Sequence, residues 1–386
     1  NHLEGANGGC VMDEEEVIEV SDVEFYELDF RIGFSGDSVN ARGTSERYYS
    51  IALSPDEGYM AFYAFTPESD SRKLVVWDAT KKEVQGTFLA TRVEKIEFMP
   101  MENKIVALCG KKGIFGEDVS IFDLSGELVK RIDFPYKTDA GRTAYKRISN
   151  FAVSPDSKRI ALLSYSLLVY DLEGDEVVNR INREDLGKVS RACRGPKVFI
   201  RSRRLFWPKR DGLVVTEDPK CLGIEHDDME EFRQYPLMKA VMVDPYTKEV
   251  RHKVPIKYTS SLEYGDAYFV SPDGEYLAVL NKYIYLPRFS DFDARGRYIG
   301  TEGKWRPVKK YRTTVTHVGW SPNSTELIYQ YGNGFVTVDY VKNEVTRLIV
   351  SEELNGIETS RIFWLRDNTI YFVNDREPFV VGVLRL

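Results

Sequence analysis

The sequence predicts an all-β protein, a single seven-bladed β-propeller in which a strand from the N-terminus completes the last blade. Three observations carry this expectation. One strand–turn–strand element returns seven times. A second element, a strand ending in Asp, returns five times at a fixed place after the first. The final copy stops one strand short.

The first element is an apolar strand, a turn usually written Ser-Pro-Asp, and a second apolar strand. It reads Ile51-Ala-Leu-Ser-Pro-Asp56 before Tyr59-Met-Ala-Phe-Tyr63, and Phe151-Ala-Val-Ser-Pro-Asp156 before Arg159-Ile-Ala-Leu-Leu163. It returns as Tyr268-Phe-Val-Ser-Pro-Asp-Gly274 before Tyr276-Leu-Ala-Val-Leu280, and as His317-Val-Gly-Trp-Ser-Pro-Asn323 before Glu326-Leu-Ile-Tyr329. Weaker copies are centred on Pro100, Pro208 and Leu365. Between Pro55, Pro100, Pro155, Pro208, Pro272, Pro322 and Leu365 the steps are 45, 55, 53, 64, 50 and 43 residues. A four-stranded blade needs about 40–50 residues, so the longer steps contain inserted loops. Proline presets φ at the second turn position, and Asp, Asn or Gly tolerate the bend that follows.

The second element ends in Asp78, Asp123, Asp171, Asp244 or Asp339. A short turn then leads to Glu83-Val84, Glu127-Leu128, Glu176-Val177, Glu249-Val250 or Glu344-Val345. A carboxylate at that place can accept the amides of the turn it opens, so these five are predicted structural caps. Closure is also legible. The last copy ends with Phe379-Val-Val-Gly-Val-Leu384, and Val23-Glu-Phe-Tyr-Glu-Leu-Asp-Phe30 can supply its outer strand, removing the exposed edges of an open ring.

Trp77-Asp78 and its strand resemble the dipeptide that ends the third strand of a WD repeat. The other four copies keep the Asp and carry Phe, Tyr or Val before it, and the Gly-His pair of that family is absent. The Ser-Pro-Asp-Gly turns resemble those of TolB-like propellers and of the propeller of prolyl oligopeptidases. The resemblance spans residue 22 onward and implies a fold superfamily rather than a function. Residues 22–386 are therefore read as one propeller, and residues 1–21 as a disordered leader or expression remnant ending in the acidic run Asp13-Glu-Glu-Glu16.

Composition narrows the classes of function. The 386-residue chain carries a net charge of −7, which argues against a surface basic all over for nucleic acid. No apolar stretch has the roughly 18 residues of a membrane span. Cys10, Cys109, Cys193 and Cys221 are widely spaced and form no CxxC pair, so neither a disulfide framework nor a zinc site is predicted. A reducing, cytoplasmic location follows as the expectation.

Catalytic signals are sparse. His226 sits among Glu225, Asp227 and Asp228, which reads as a solvated acidic loop, and His317 lies on an innermost strand in a structural role. There is no G-x-S-x-G elbow, no dinucleotide fingerprint and no phosphate loop. No cofactor, metal or catalytic residue is predicted.

Charge is more informative. Lys188 to Arg210 contains nine basic residues and no acidic ones, and Glu217 to Glu231 is strongly acidic. A second basic stretch lies in the insertion 286–312. The residues that this charge pattern nominates for binding are Arg201, Arg203, Arg204, Trp207, Lys209 and Arg210 in the first stretch. In the second they are Arg295, Arg297, Trp305, Arg306, Lys309, Lys310, Tyr311 and Arg312. The expectation is a non-enzymatic scaffold for protein–protein interaction, a monomeric ring or a subunit of a complex, holding an acidic partner on its basic face and its insertions at 217–238 and 286–312. Rigid scaffolds place specificity in loops, and the repeat does not need these insertions for packing. Binding of RNA or of a phosphoinositide, an anionic lipid, through the same residues is the alternative. An enzyme with a site at the channel mouth is the third reading.

Overall fold

Seven sheets follow one another in chain order, each built outward from an innermost strand. The structure, a computed structural model, describes residues 16–20, 22–28, 31–32, 51–66, 69–89, 93–110, 117–137, 143–145, 148–164, 166–182, 186, 198–221, 238–256, 268–280, 284–301, 307–308, 317–323, 325–342, 344–357, 359, 361–374 and 379–386.

Strands β1 (Glu16–Glu19), β2 (Val23–Leu28) and β3 (Arg31–Ile32) precede the first blade. Blade one comprises β4 (Ile51–Leu53), β5 (Tyr59–Thr66), β6 (Ser69–Asp78) and β7 (Glu83–Leu89). Blade two comprises β8 (Val93–Phe98), β9 (Ile105–Gly110), β10 (Glu117–Phe122) and β11 (Leu128–Ile132). A separate hairpin, β12 (Pro135–Lys137) and β13 (Thr143–Tyr145), leads to blade three. That blade holds β14 (Asn150–Val153), β15 (Arg159–Leu163), β16 (Leu167–Asp171) and β17 (Glu176–Ile181). Blade four is formed by β18 (Val198–Lys209), β19 (Gly212–Cys221), β20 (Met238–Val243) and β21 (Val250–Ile256). Blade five has β22 (Tyr268–Val270), β23 (Leu277–Leu280), β24 (Ile284–Tyr285) and β25 (Pro307–Val308). Blade six has β26 (Gly319–Trp320), β27 (Glu326–Tyr331), β28 (Gly334–Asp339) and β29 (Glu344–Val350). Blade seven has β30 (Arg361–Trp364), β31 (Thr369–Asn374) and β32 (Phe379–Arg385), and β2 closes it.

The closing pair is antiparallel, with Val23 opposite Leu384 and Leu28 opposite Phe379. Strands from the two ends of the chain thus share one sheet, as the shortened last repeat predicts. The structure also adds a strand before residue 22. β1 runs parallel to β29, from Glu16 opposite Arg347 to Glu19 opposite Val350, and makes blade six five-stranded.

The core is divided among the seams. Among the described residues seven apolar clusters occur, and each joins two neighbouring blades. The seam of blades one and two packs Tyr63 and Leu74 against Ile96, Ile105 and Ala107. The seam of blades seven and one packs Trp77 and Phe62 against Tyr371, Val373 and Val381. Inner strands are therefore covered on both sides; β9 is buried at every position. Outer strands such as β17 are exposed over most of their length. Because every core is an interface, a blade gains its stability from its neighbours.

The repeated turns share one hydrogen-bond pattern. Ser54 Oγ donates to Asp56 Oδ1 at 2.6 Å and accepts from Tyr59 N. The same geometry recurs at Ser154 and Asp156, at Ser271 and Asp273, and at Ser321 and Asn323. Glu57, Ser157 and Gly274 take the left-handed position in these turns.

Candidate functional site

The Asp residues at the ends of the third strands act within their own turns. Asp78 Oδ1 accepts the amides of Thr80 and Lys81, and Asp123 Oδ1 those of Ser125 and Glu127. Asp171 takes those of Glu173 and Gly174, Asp244 those of Tyr246 and Thr247, and Asp339 those of Val341 and Lys342. Asp293 does the same for Arg295 and Arg297 inside the blade-five insertion, a sixth cap that the repeat pattern does not reveal.

The residues nominated by charge are separated by the fold. Arg204 and Trp207 are buried, at 2% and 6% exposure, where the sequence placed them on a partner-facing surface. β18 is an innermost strand, and its residues 205–207 pack into the seams on either side of blade four. Arg204 Nη1 donates to the carbonyl of Tyr268 in blade five at 2.8 Å, and its guanidinium lies over the Phe269 ring. The Trp207 indole packs in the seam of blades three and four and donates to the Arg210 carbonyl. Lys209 pairs with Glu275 at 2.7 Å, and Arg297 pairs with Asp293 at the same distance. Arg210 and Arg295 are exposed. Arg201 and Arg203 lie on β18, and their side chains fall outside the described residues, as do Trp305, Arg306, Lys309, Lys310, Tyr311, Arg312 and His226.

The insertion 286–312 needs a correction. Its first half is part of the core. A short 3-10 turn at Phe289–Asp291 carries Phe289 and Phe292 into the seam of blades four and five, beside Val214, Met242, Val254 and Tyr268. The carbonyl of Asp293 accepts the Lys253 amide, and His252 Nδ1 lies 2.8 Å from the Phe292 carbonyl. This segment covers β21, the outer strand of the preceding blade, so blade four depends on an insertion that the repeat itself would not require. The acidic insertion of blade four lies outside the described residues between 222 and 237.

Around the ring axis the innermost strands bring together a polar cluster that the sequence did not single out. Lys95 is 6% exposed. Its Nζ reaches Asn150 Oδ1 at 3.0 Å, the Phe151 carbonyl at 2.5 Å, Glu97 Oε1 at 2.7 Å and the Leu205 carbonyl at 3.4 Å. One ammonium thus ties blades two, three and four. Burial lowers the Lys95 pKa, the Glu97 carboxylate opposes that shift, and the charges of Arg204 and Arg361 add to it. The same burial, with Arg361 and Arg204 nearby, holds His317 well below the usual imidazole range. Its Nδ1 accepts from the Ile362 amide at 3.2 Å, an arrangement that requires the neutral ring. In β8 the signal for Lys95 was its placement in an innermost strand, where a residue on either side of the strand is covered.

The chemistry of this cluster is that of a strut. The three protons of the Lys95 ammonium face three oxygens within 3.0 Å. Cys109 is buried, and burial, followed by the Asp118 charge, pushes its thiol up to about 12. Among the described residues no three His, Cys, Asp or Glu side chains converge as a metal site, and no helix is long and apolar enough to cross a membrane.

Comparison with known proteins agrees on architecture. No family model and no curated protein sequence matches the chain. Among solved structures, the Cps50 (Swd1) β-propeller domain of Myceliophteria thermophila superposes with a TM-score of 0.53 at 10% identity, over 89% of this chain and 97% of that one. Hydrazine synthase of Kuenenia stuttgartiensis superposes with a TM-score of 0.56 at 15% identity, over 91% of this chain and 99% of that one. At such identities the likeness shows the fold alone. The protein is a seven-bladed β-propeller.

Proposed function

We propose that the protein is a non-enzymatic interaction scaffold, a rigid ring that holds a partner protein on its rim. The observation that supports this most is the use of the axial polar groups. Lys95, Arg204 and His317 each bond to the backbone of another blade, an arrangement suited to rigidity rather than to turnover. The partner-facing charges of this reading are the exposed Arg210 and Arg295, with Arg306, Lys309, Lys310 and Arg312 from the same insertion; they favour an acidic protein surface.

The test is affinity capture with the full chain against a variant carrying Glu at Arg210, Arg295, Arg306, Lys309, Lys310 and Arg312. Residues 289–292 are left intact because they belong to the core. The expected result is loss of an acidic partner with unchanged thermal unfolding. Retention of the partner overturns the basic-face reading. Binding of RNA or of phosphoinositide vesicles that falls steeply with salt, and disappears in the same variant, replaces it with phosphate recognition.

A further inference from the structure

The outer strands share a feature that the repeat hides. In five blades the ladder between third and fourth strands shifts register at the same place, leaving one extra residue on the outer strand. The bulged residues are Gln85, Val129, Val178, Arg251 and Thr346 in blades one, two, three, four and six. A bulge re-aims its side chain out of the sheet. In blade four Arg251 turns back to pair with Asp211 and Asp244, and in blade six Thr346 bonds to Thr337 and Glu326. Blades two and three place valine there, which can make no such bond.

Val129 and Val178 are accordingly 50% and 47% exposed, and the residues before them, Leu128 and Val177, are 44% and 37% exposed. Among the described residues these are the only two places where consecutive large apolar side chains lie open. They adjoin. Lys130, next to Val129, crosses to blade three, where its Nζ meets Asp175 Oδ1 at 2.6 Å and the Leu172 carbonyl at 2.7 Å. Blade four's outer strand is covered by the segment at 289–297, and blade six's by β1; among the described residues nothing covers the ledge of blades two and three.

Charge defines what fits. Glu127, Glu173 and Glu176 border the ledge, are exposed, and make no ion pair among the described residues. Of the cations on these two strands, Lys130 and Arg131 face Asp175 and Asp118, and Arg180 is exposed on β17, so the three glutamates leave the border net acidic. Backbone pairing is ill suited here, because each bulge interrupts the ladder on which an added strand would grow. A helix seats side chains without needing that ladder, its apolar stripe on the valines and its flanking cations on the glutamates.

We infer that the ledge formed by Leu128, Val129, Val177 and Val178 is a docking surface for a basic amphipathic helix of a partner protein. This deepens the scaffold reading on which it rests, with a surface and a partner charge distinct from those of the basic rim. The probe is a synthetic helical peptide of about 18 residues with leucine on one face and lysine on the other, against a counterpart with glutamate for lysine. The variant is V129Q/V178T, which installs the residues that blades one and six carry at the same bulge and leaves net charge unchanged.

The wild-type chain is expected to bind the lysine peptide and not the glutamate one. V129Q/V178T should weaken that binding about tenfold or more at an unchanged melting temperature. Reversing Glu127, Glu173 and Glu176 to Lys should switch preference to the glutamate peptide. The inference is overturned by failure of the lysine peptide to bind, by equal binding to V129Q/V178T, or by equal binding of both peptides. It is also overturned if the chain self-associates and the same double variant abolishes that, which makes the occupant a second copy. Loss of rim-dependent capture in the charge-reversed variant, with peptide binding retained, would separate the two surfaces. If instead only the rim reading fails, this one still stands or falls on the peptide.

Discussion

Phe25, near one end of the chain, lies opposite Gly382, near the other, across the ladder that closes the ring. Gly382 also faces Phe372, whose ring stands so close that a Cβ on the glycine would lie 2.0 Å from it, and Phe25 meets that ring edge-on at 6.0 Å. The absence of a side chain at 382 lets the aromatic rings fill the site from both neighbouring strands.

This predicts that closure is sensitive at both partners. Deleting residues 1–28 uncovers the edge of β32 and removes Val23 and Leu28 from two seams. The expected result is a melting temperature at least about 5 °C lower, with concentration-dependent aggregation through the freed edge. Gly382→Val should cost stability by displacing the Phe372 ring, by about 1–3 kcal/mol for an overpacked site. Calorimetry of the two variants checks both. A truncated chain as stable as the full one would show that the closing strand contributes little.

The insertion at 286–301 is predicted to behave as core. Phe292 is fully buried between blades four and five, so Phe292→Ala should cost about 3–5 kcal/mol in denaturant unfolding. Arg295→Ala, three residues on and exposed, should stay within about 0.5 kcal/mol. If both substitutions prove neutral, the segment does not pack as described.

Repetition made the fold readable. Seven turn motifs and five capped strands carry period, strand order and closure, because each encodes local turn chemistry that survives without the rest of the chain. The partner-facing residues were less readable for a physical reason. Arg204 and Trp207 look like a basic, aromatic surface in one dimension, yet β18 is innermost, and at these two positions its side chains turn into the seams between blades. Val129 and Val178 were equally hidden. Their exposure depends on a register shift that becomes visible only when the bulged positions of the blades are compared.

The turn carboxylates predict acid lability. The Lys81 amide foremost holds Asp78 below the usual carboxylate range, and the Ser125 hydroxyl and Glu127 amide do so for Asp123. The Arg297 amide does the same for Asp293. A depressed folded-state pKa gives stability that is present above the unfolded value, near pH 4, and is lost as pH falls through the folded one. Urea midpoints should therefore hold steady between about pH 7 and 5 and fall below about pH 4. Asp78→Asn and Asp123→Asn should flatten that fall. An unchanged acid limb in the double variant would assign it to other groups.

The axial strut gives the sharpest energetic prediction. Lys95 and Glu97 approach at 2.7 Å, with the lysine side chain 8% exposed and the glutamate 30%. Removing the ammonium leaves the oxygens of Asn150, Phe151 and Glu97 without the donor that joins them. Breaking a buried pair from one side costs about 3–5 kcal/mol, so Lys95→Met should fall in that range. Glu97→Gln should cost less, because its side chain is partly hydrated and the amide still offers an oxygen to the lysine. The double variant should be less destabilised than the sum of the two, since Lys95→Met no longer strands a carboxylate. A double-mutant cycle in denaturant measures that difference. Strict additivity would mean that the two side chains act independently, and that Lys95 ties the blades through the Phe151, Asn150 and Leu205 oxygens without help from Glu97.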